Sequence, residues 1–128
     1  MGLQKLTGVI IDAAIEVQRE LRGPGLLESI YEEALAIELE DRGCTVTRQR
    51  PVPVYYKGRE LKTPLRIDLL VNDTVIVECK AVSKYNEMFT SQVITYLRLS
   101  NRTVALVINF GVRPMRQSIR RIVDQYAD

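Results

Sequence analysis

The 128-residue sequence contains no histidine and no tryptophan, and only two cysteines and two phenylalanines. Without histidine, the Ser-His and Cys-His schemes of nucleophilic catalysis are excluded, which leaves carboxylates, amides and lysine as the available chemistry. A metal site would have to use oxygen ligands, and these favour hard cations such as Mg²⁺ or Mn²⁺ over Zn²⁺. Cys44 and Cys79 are too few and too far apart for a zinc pattern, so we expect both to be free thiols.

Long apolar runs are also missing. No stretch approaches the length of a membrane span, and no charged-then-apolar leader opens the sequence. The charges are mixed, with 18 Lys and Arg against 16 Asp and Glu, for a formal net charge of +2. A chain of this length is expected to form one domain, residues 1–128, around a single hydrophobic core. We therefore expect a soluble cytoplasmic protein with no membrane partner.

Residues 66–80 have the pattern of a β-hairpin, with two apolar strands joined by a tight turn at Asn72-Asp73. The hairpin carries three charged residues where a core hairpin would carry none: Asp68, Glu78 and Lys80. Burying ionised groups in an apolar sheet is costly unless they pair or bind a metal. These three charges therefore mark the hairpin as the candidate functional centre.

The register of this hairpin decides whether its charges can act together. Because strand side chains alternate between faces, Glu78 and Lys80 point the same way. Asp68 shares their face only if it lies opposite Glu78. That register needs a bulge or an odd-length connection, for instance a turn over residues 72–74 with Val71 opposite Val75. A two-residue turn would send Asp68 to the other face and weaken the shared site.

Helical spacing predicts a first helix, capped by Thr7 and running to residue 21, and a second helix over residues 27–42. The second helix is expected to bury one apolar side, which consists of Leu27, Ile30, Tyr31, Ala34 and Leu35. Residues 45–56 are rich in β-branched and aromatic residues but are interrupted by Pro51 and Pro53. Proline in a strand predicts a position at the margin of a sheet.

After the hairpin, Ser83 or Asn86 can cap a third helix that ends near residue 99, and residues 103–109 form a near-continuous apolar strand typical of burial on both faces. Pro114 suits the first turn of a last helix. The residues expected to face inward from it are Met115, Ile119, Ile122, Val123 and Tyr126. The predicted order is α-α-β-β-β-α-β-α, an α/β fold with a mixed sheet flanked by helices.

Asp68, the Glu78-Cys79-Lys80 triplet and the later pair Gln92 and Tyr96 occur in an order and spacing that resemble the PD-(D/E)XK nuclease superfamily. Gln92-Val-Ile-Thr-Tyr96 is similar to the Q-x-x-x-Y element of its RecB-like branch. Gly25-Leu-Leu-Glu28-Ser-Ile-Tyr31 resembles the signature of the GxxExxY protein family. The resemblance covers residues 10–123. Two departures are Cys79, where an aliphatic residue is usual, and the missing proline before Asp68.

The resemblance implies a restriction-endonuclease-like core and a metal-dependent nuclease acting on nucleic acid, with DNA expected rather than RNA. It implies that Asp68, Glu78 and the backbone carbonyl of Cys79 hold Mg²⁺ or Mn²⁺, and that Glu28 adds a metal ligand directly or through water. Lys80 would orient the attacking water or stabilise charge on the phosphate. Gln92 and Tyr96, one helical turn apart, would position metal, water or phosphate.

Simpler interpretations stay open for each of these features. An isolated Glu-x-Lys is more often a solvated ion pair, Glu28 alone is a favourable charge in a first helical turn, and Tyr31 and Tyr96 have the character of core residues. Only the combination favours a nuclease. Two basic clusters are equally compatible with phosphate contact and with a solvated face; they contain Arg48, Arg50, Lys57, Arg59, Lys62 and Arg66, and Arg113, Arg116, Arg120 and Arg121.

The alternative function is a non-catalytic nuclease-like module that binds nucleic acid or a protein partner. The small size of the chain supports it, because a minimal domain would need a partner or a second copy of itself to grip a substrate. Binding that ignores Mg²⁺, without cleavage, would distinguish this module from a nuclease.

Overall fold

A computed structural model describes residues 1–124, which form three α-helices, one 3₁₀ turn and seven strands. The helices are α1 (Leu3–Leu21), α2 (Glu28–Asp41) and α3 (Glu87–Ser100). The strands are β1 (Val46–Val52), β2 (Tyr55–Tyr56), β3 (Arg59–Glu60), β4 (Leu65–Val71), β5 (Val75–Lys80), β6 (Val104–Asn109) and β7 (Ile119–Val123). The 3₁₀ turn, Met115–Ser118, precedes β7.

Five of the strands form one mixed sheet in the order β1-β4-β5-β6-β7, and β2 and β3 form a separate short hairpin. The β5 and β6 strands run parallel, and the other neighbours in the sheet are antiparallel. All six residues of β6 are buried, as predicted for a strand covered on both faces. The proline-containing strand β1 lies at an edge of the sheet, which confirms the predicted position.

Helices cover both faces of the sheet. Buried residues of α1 and α2, among them Ile10 and Leu35, pack in one core with Val75, Val77 and Cys79 of β5. The α3 helix packs in a second core on the opposite face, together with Ile76. Because strand side chains alternate, Glu78 follows Ile76 onto the α3 side. The buried thiols of Cys44 and Cys79 are both free, as predicted.

The ends and faces of the helices differ in part from the prediction. Thr7 does not cap α1, because the helix begins at Leu3 and the Thr7 hydroxyl donates to the Gln4 carbonyl inside it. Leu27 lies just outside α2 and is 71 % exposed, and Ile30 is also exposed, so their predicted burial is wrong. The cap predicted for α3 is confirmed at Asn86, whose Oδ1 accepts the Met88 N–H at 2.9 Å.

The predicted last helix is wrong. Met115 begins a 3₁₀ turn, and Ile119–Val123 is an edge strand paired antiparallel with β6. Ile119 packs in the core beneath α1 and α2, whereas Ile122 packs in the α3 core, so residues three apart point to opposite faces, as in a strand. Pairing with β7 also covers the backbone edge that the fully buried β6 would otherwise leave open. Val123 is exposed rather than inward-facing, and Tyr126 lies outside the described residues.

None of the helices in residues 1–124 is long and apolar enough to cross a membrane.

Candidate active site

The hairpin of β4 and β5 has the register that a shared carboxylate site requires. Val71 lies opposite Val75 and Leu69 opposite Val77, so the same register places Asp68 across from Glu78. The connection is a three-residue turn over residues 72–74, as predicted for a shared face. Asn72 and its neighbour Asp73 adopt left-handed φ values of 51° and 57°, which Asn and Asp tolerate better than most residues.

The Asp68 and Glu78 side chains each accept a hydrogen bond from a backbone N–H of the facing strand. The Asp68 N–H donates to Glu78 Oε2 at 2.9 Å, and the Cys79 N–H donates to Asp68 Oδ2 at 2.9 Å. One oxygen of each side chain is therefore occupied by a hydrogen bond to the facing strand, and the other oxygen is not. These reciprocal bonds orient both side chains before any ligand binds.

The strand β4 kinks at Asp68. Ile67 packs in the α3 core and Leu69 in the α1–α2 core, although residues two apart in a regular strand share a face. In the neighbouring strand β1, Gln49 has a left-handed φ of 52°. Such a conformation costs of order 1–3 kcal/mol for a residue other than glycine, and strain of this kind clusters at functional sites.

Glu78 is a buried carboxyl beside another carboxyl. Its side chain is 3 % exposed, and burial, followed by the charge of Asp68, raises the pKa of Glu78 to about 9. The Asp68 N–H and the Lys80 ammonium act in the opposite direction but do not offset burial. At neutral pH and without a cation, this carboxyl is held protonated.

Lys80 ends β5 and is half-buried. Its Nζ lies 4.8 Å from the centre of the Phe89 ring in α3, within the range of a cation–π contact. Its charge lowers the pKa of both Glu28 and Glu78, so the ammonium lies within electrostatic range of two of the predicted site carboxylates.

The Gly25 to Tyr31 motif forms the entry into α2. Gly25 has a φ of 118°, a conformation that favours glycine, and Glu28 is the first residue of the helix. Tyr31 is fully buried, its ring stacks on Phe110 at 4.7 Å between centres, and its hydroxyl accepts the Leu26 N–H at 3.2 Å. The motif therefore fixes where the exposed Glu28 emerges. Desolvation raises the pKa of Glu28, and the charge of Asp68 contributes to that rise.

Two residues that the sequence analysis did not select join this site. Glu32, one turn after Glu28, is 5 % exposed and accepts hydrogen bonds from Arg48 (3.1 Å) and from Gln49 Nε2 (2.8 Å). The same Gln49 amide donates to Asp68 Oδ1 at 3.4 Å and so links Glu32 to Asp68. The i, i+4 spacing of the two glutamates was visible in the sequence, but the left-handed turn of Gln49 was not.

The two predicted site residues in α3, Gln92 and Tyr96, differ in burial. Tyr96 is 8 % exposed, and its pKa is raised by burial and then by the charges of Glu78 and Asp68, so it lies within electrostatic range of both. Gln92 is exposed, and within residues 1–124 no hydrogen bond joins it to the carboxylates or to Lys80. The structure thus buries Tyr96 within electrostatic range of the carboxylate pair and leaves Gln92 on the surface.

A family model of the PD-(D/E)XK nuclease superfamily matches residues 4–122. The chain belongs to this superfamily. Its helices around a mixed five-stranded sheet are consistent with the restriction-endonuclease-like fold, which confirms the predicted fold class. No curated protein and no solved structure matches the chain. Proteins of the superfamily are generally nucleases and typically use divalent metal ions.

The Asp68–Glu78 pair fits a hard divalent cation. Both donors are carboxylates on one side of the sheet, and each keeps an oxygen that is not bonded to the facing backbone. A cation would offset both the burial of the Glu78 charge and its repulsion by Asp68, the two effects that raise the pKa of Glu78. Residues 1–124 contain no group of three or more His, Cys, Asp or Glu that could hold a metal ion directly, so the direct carboxylate ligands in this structure are limited to the Asp68–Glu78 pair. The fit to a divalent cation therefore rests on Asp68 and Glu78.

Proposed function

We propose that the chain is a nuclease that uses Mg²⁺ or Mn²⁺ to hydrolyse phosphodiester bonds in nucleic acid, with DNA as the substrate in preference to RNA. The observation that carries this proposal is the hairpin register, which sets Asp68 opposite Glu78 with Lys80 two residues further along. Membership of the PD-(D/E)XK superfamily supports it.

The proposed metal ligands are Asp68, Glu78 and the backbone carbonyl of Cys79, and Glu28 is proposed to contribute through a bound water. The chemistry that a bound divalent cation supplies in such a site is neutralisation of phosphate charge and acidification of a water. Lys80 is proposed to leave Phe89 and to stabilise the charge that develops on the phosphate, or to orient the water.

On the α3 side, Tyr96 and Gln92 are proposed to position water, metal or phosphate. They lie four residues apart on one helix, and Tyr96 is within electrostatic range of Glu78 and Asp68. Gln92, being exposed, would contact the substrate from the open side of the site. This pair supports placement in the RecB-like branch, and the Gly25–Glu28–Tyr31 entry into α2 supports the GxxExxY family. We further propose a single domain over residues 1–128 and a cytoplasmic location.

A non-catalytic nuclease-like module is the second candidate. The absence of a three-carboxylate group within residues 1–124 favours it. Such a module would bind nucleic acid, a protein partner or a second copy of the chain without requiring a metal ion.

The test is a cleavage assay with single- and double-stranded DNA and RNA in Mn²⁺, Mg²⁺ or EDTA. We expect cleavage that depends on the metal and prefers DNA. Lys80→Ala and Glu78→Ala should each reduce the rate by at least about 100-fold, since removing one group that stabilises transition-state charge costs about 10²–10³ in rate.

Lys5→Ala is the matched control, because Lys5 is an exposed lysine in the first turn of α1 and is not among the residues proposed for the site. It should cleave at the wild-type rate, and circular dichroism should show that all variants are folded. Undiminished cleavage by Lys80→Ala would refute the assignment of roles. Metal-independent binding without cleavage by the wild type would select the non-catalytic module.

A further inference from the structure

A cavity of about 790 Å³ lies between the second half of α1 and the segment that follows β6. Four arginines surround it, Arg19 and Arg22 from the helix and Arg113 and Arg116 from the later segment, and its apolar lining includes Ile15 and Met115. Its volume is within the range of ligand pockets, about 300–1,000 Å³. The cavity contains none of the residues proposed for catalysis.

The cavity wall is held in place by the fold. Gln18, 8 % exposed, donates from Nε2 to the Val112 carbonyl at 3.0 Å and ties α1 to the later segment. Arg22 caps the C-terminus of α1 in a left-handed conformation, with a φ of 59°. The four arginines are therefore brought to one cavity by the packing of two distant parts of the chain.

The charged residues that line the cavity are all positive. Among residues 1–124, Arg22, Arg113 and Arg116 have no carboxylate partner, and Arg19 pairs with Glu16. Grouped arginines repel one another, and a multiply charged anion offsets that repulsion. The planar fork of arginine binds phosphate in a bidentate manner and stacks on aromatic rings, so a set of arginines with an apolar lining suits phosphates that carry bases.

The cavity lies on the segment that leaves the catalytic end of the sheet. Phe110, just after β6, donates its N–H to the Lys80 carbonyl at 2.7 Å and stacks on Tyr31 of α2. The chain then runs from Gly111 to the cavity. On the other wall, the residues after Arg22 lead directly into Glu28, so both walls continue from elements that hold the site.

We propose that this arginine cavity binds the phosphates of the nucleic-acid strand on one side of the scissile bond. The proposal rests on the nuclease function and adds a substrate-binding site apart from the catalytic residues. An acidic protein segment could also pair with the arginines, but it lacks the bases that the apolar lining would accommodate. Binding of such a segment is therefore one of the outcomes that the test distinguishes.

The test measures binding without cleavage. The fluorescence anisotropy of a labelled single-stranded oligonucleotide is followed in EDTA at several NaCl concentrations. The variants are Arg22→Asn, which keeps a residue that tolerates the left-handed conformation, Arg113→Gln, and the two combined. Arg42→Gln is the matched control, since Arg42 is also an arginine at a helix C-cap, at the far end of α2.

Each cavity variant should weaken binding several-fold and reduce the salt slope by about 0.7 for each phosphate that the variant no longer neutralises, with the control unchanged. A nucleoside monophosphate should compete weakly, because it offers one phosphate to four arginines. Wild-type affinity in the double variant would overturn the proposal. So would competition by polyglutamate as effective as that by the oligonucleotide, or tight arginine-dependent binding of the monophosphate alone. Because no cleavage is needed, failure here is distinct from failure of the nuclease proposal.

Discussion

At the scale of single residues, the site is arranged by backbone donors and one side-chain amide. Asp68 receives the Cys79 N–H and the Gln49 amide, and Glu78 receives the Asp68 N–H. Bonds to a charged carboxylate are stronger than neutral ones and fix its orientation. Gln49 has a strained left-handed backbone conformation, and its amide connects Asp68 to Glu32. We therefore expect Gln49 to position Asp68 and to take no part in the reaction itself.

Replacing Gln49 should therefore weaken metal use. In Gln49→Ala, Asp68 loses a donor, and we expect a several-fold higher Mn²⁺ concentration for half-maximal cleavage, with less change at saturating Mn²⁺. Gln49→Glu should be worse than alanine, because it adds a carboxylate between Glu32 and Asp68. The measurement is the cleavage rate against Mn²⁺ concentration.

The control for this series is Gln4→Ala, whose exposed side chain lies at the start of α1. Thermal melting accompanies each variant, since leaving Glu32 with one donor fewer costs about 1–3 kcal/mol. An unchanged Mn²⁺ requirement in both Gln49 variants would show that the amide has no positioning role.

At the scale of elements, the sequence was most informative where charge limited the choices. Asp68 and Glu78 share a side only if the connection is odd in length or bulged, and the observed three-residue turn meets that condition. The apolar pattern of β7 did not distinguish helix from strand, because Ile119 and Ile122 fit one turn of a helix as well as opposite faces of a strand. Without β7, the edge of β6 would be left unpaired, and this tertiary requirement, which a local pattern cannot show, favours a strand over a helix.

The junction between β5 and β6 is another feature that depends on tertiary contact. Asn109, 1 % exposed at the end of β6, accepts the N–H groups of Val82 and Gly111 on its Oδ1, at 3.0 and 2.9 Å. Gly111 packs so tightly on this junction that a Cβ would lie 2.2 Å from the Val82 carbonyl oxygen. The close approach, not a positive φ, explains the glycine.

Gly111→Ala should destabilise the fold by about 1–3 kcal/mol, since the backbone of Val82 has to move to admit a methyl group. Gly8→Ala is the matched control, because Gly8 is exposed within α1 with no atom within 4 Å of an added Cβ. It should stabilise by about 0.5–1 kcal/mol. Urea unfolding measures both variants, and equal stability of Gly111→Ala and wild type would contradict the tight junction.

At the scale of the whole molecule, a nearly neutral chain groups like charges at two separate places. The Gln49 amide links Glu32 of α2 to Asp68 of the hairpin, next to Glu78, and the arginines of α1 and the later segment line the cavity. Sequence analysis identified Arg113 and Arg116 as part of a basic cluster, but their convergence with Arg19 and Arg22 depends on the packing of α1. The proximity of Asp68 to the buried Glu78 implies that ionising Glu78 destabilises the metal-free protein, so the stability of that form should vary with pH.

The stability of the metal-free protein should fall as pH rises. The pKa of Glu78 is about 9 in the folded protein, against 4.5 as the ordinary value, so between these pH values the folded state holds a proton that the unfolded state has released. Unfolding is then favoured by rising pH. Glu78→Gln removes this dependence while its amide oxygen still accepts the Asp68 N–H. In EDTA, the melting temperature of Glu78→Gln should exceed that of wild type by a margin that widens from pH 5 to pH 8.

Glu33→Gln, at an exposed position of α2, controls for the loss of one negative charge and should follow the wild-type curve. Added Mn²⁺ should raise the melting temperature of wild type more than that of Glu78→Gln, because a ligand that binds only the folded state stabilises it and the variant lacks a ligating carboxylate. Parallel melting curves of wild type and Glu78→Gln from pH 5 to pH 8 would mean that Glu78 ionises freely in the folded protein. The hairpin would then hold two ordinary carboxylates, and the electrostatic demand for a cation between Asp68 and Glu78 would disappear.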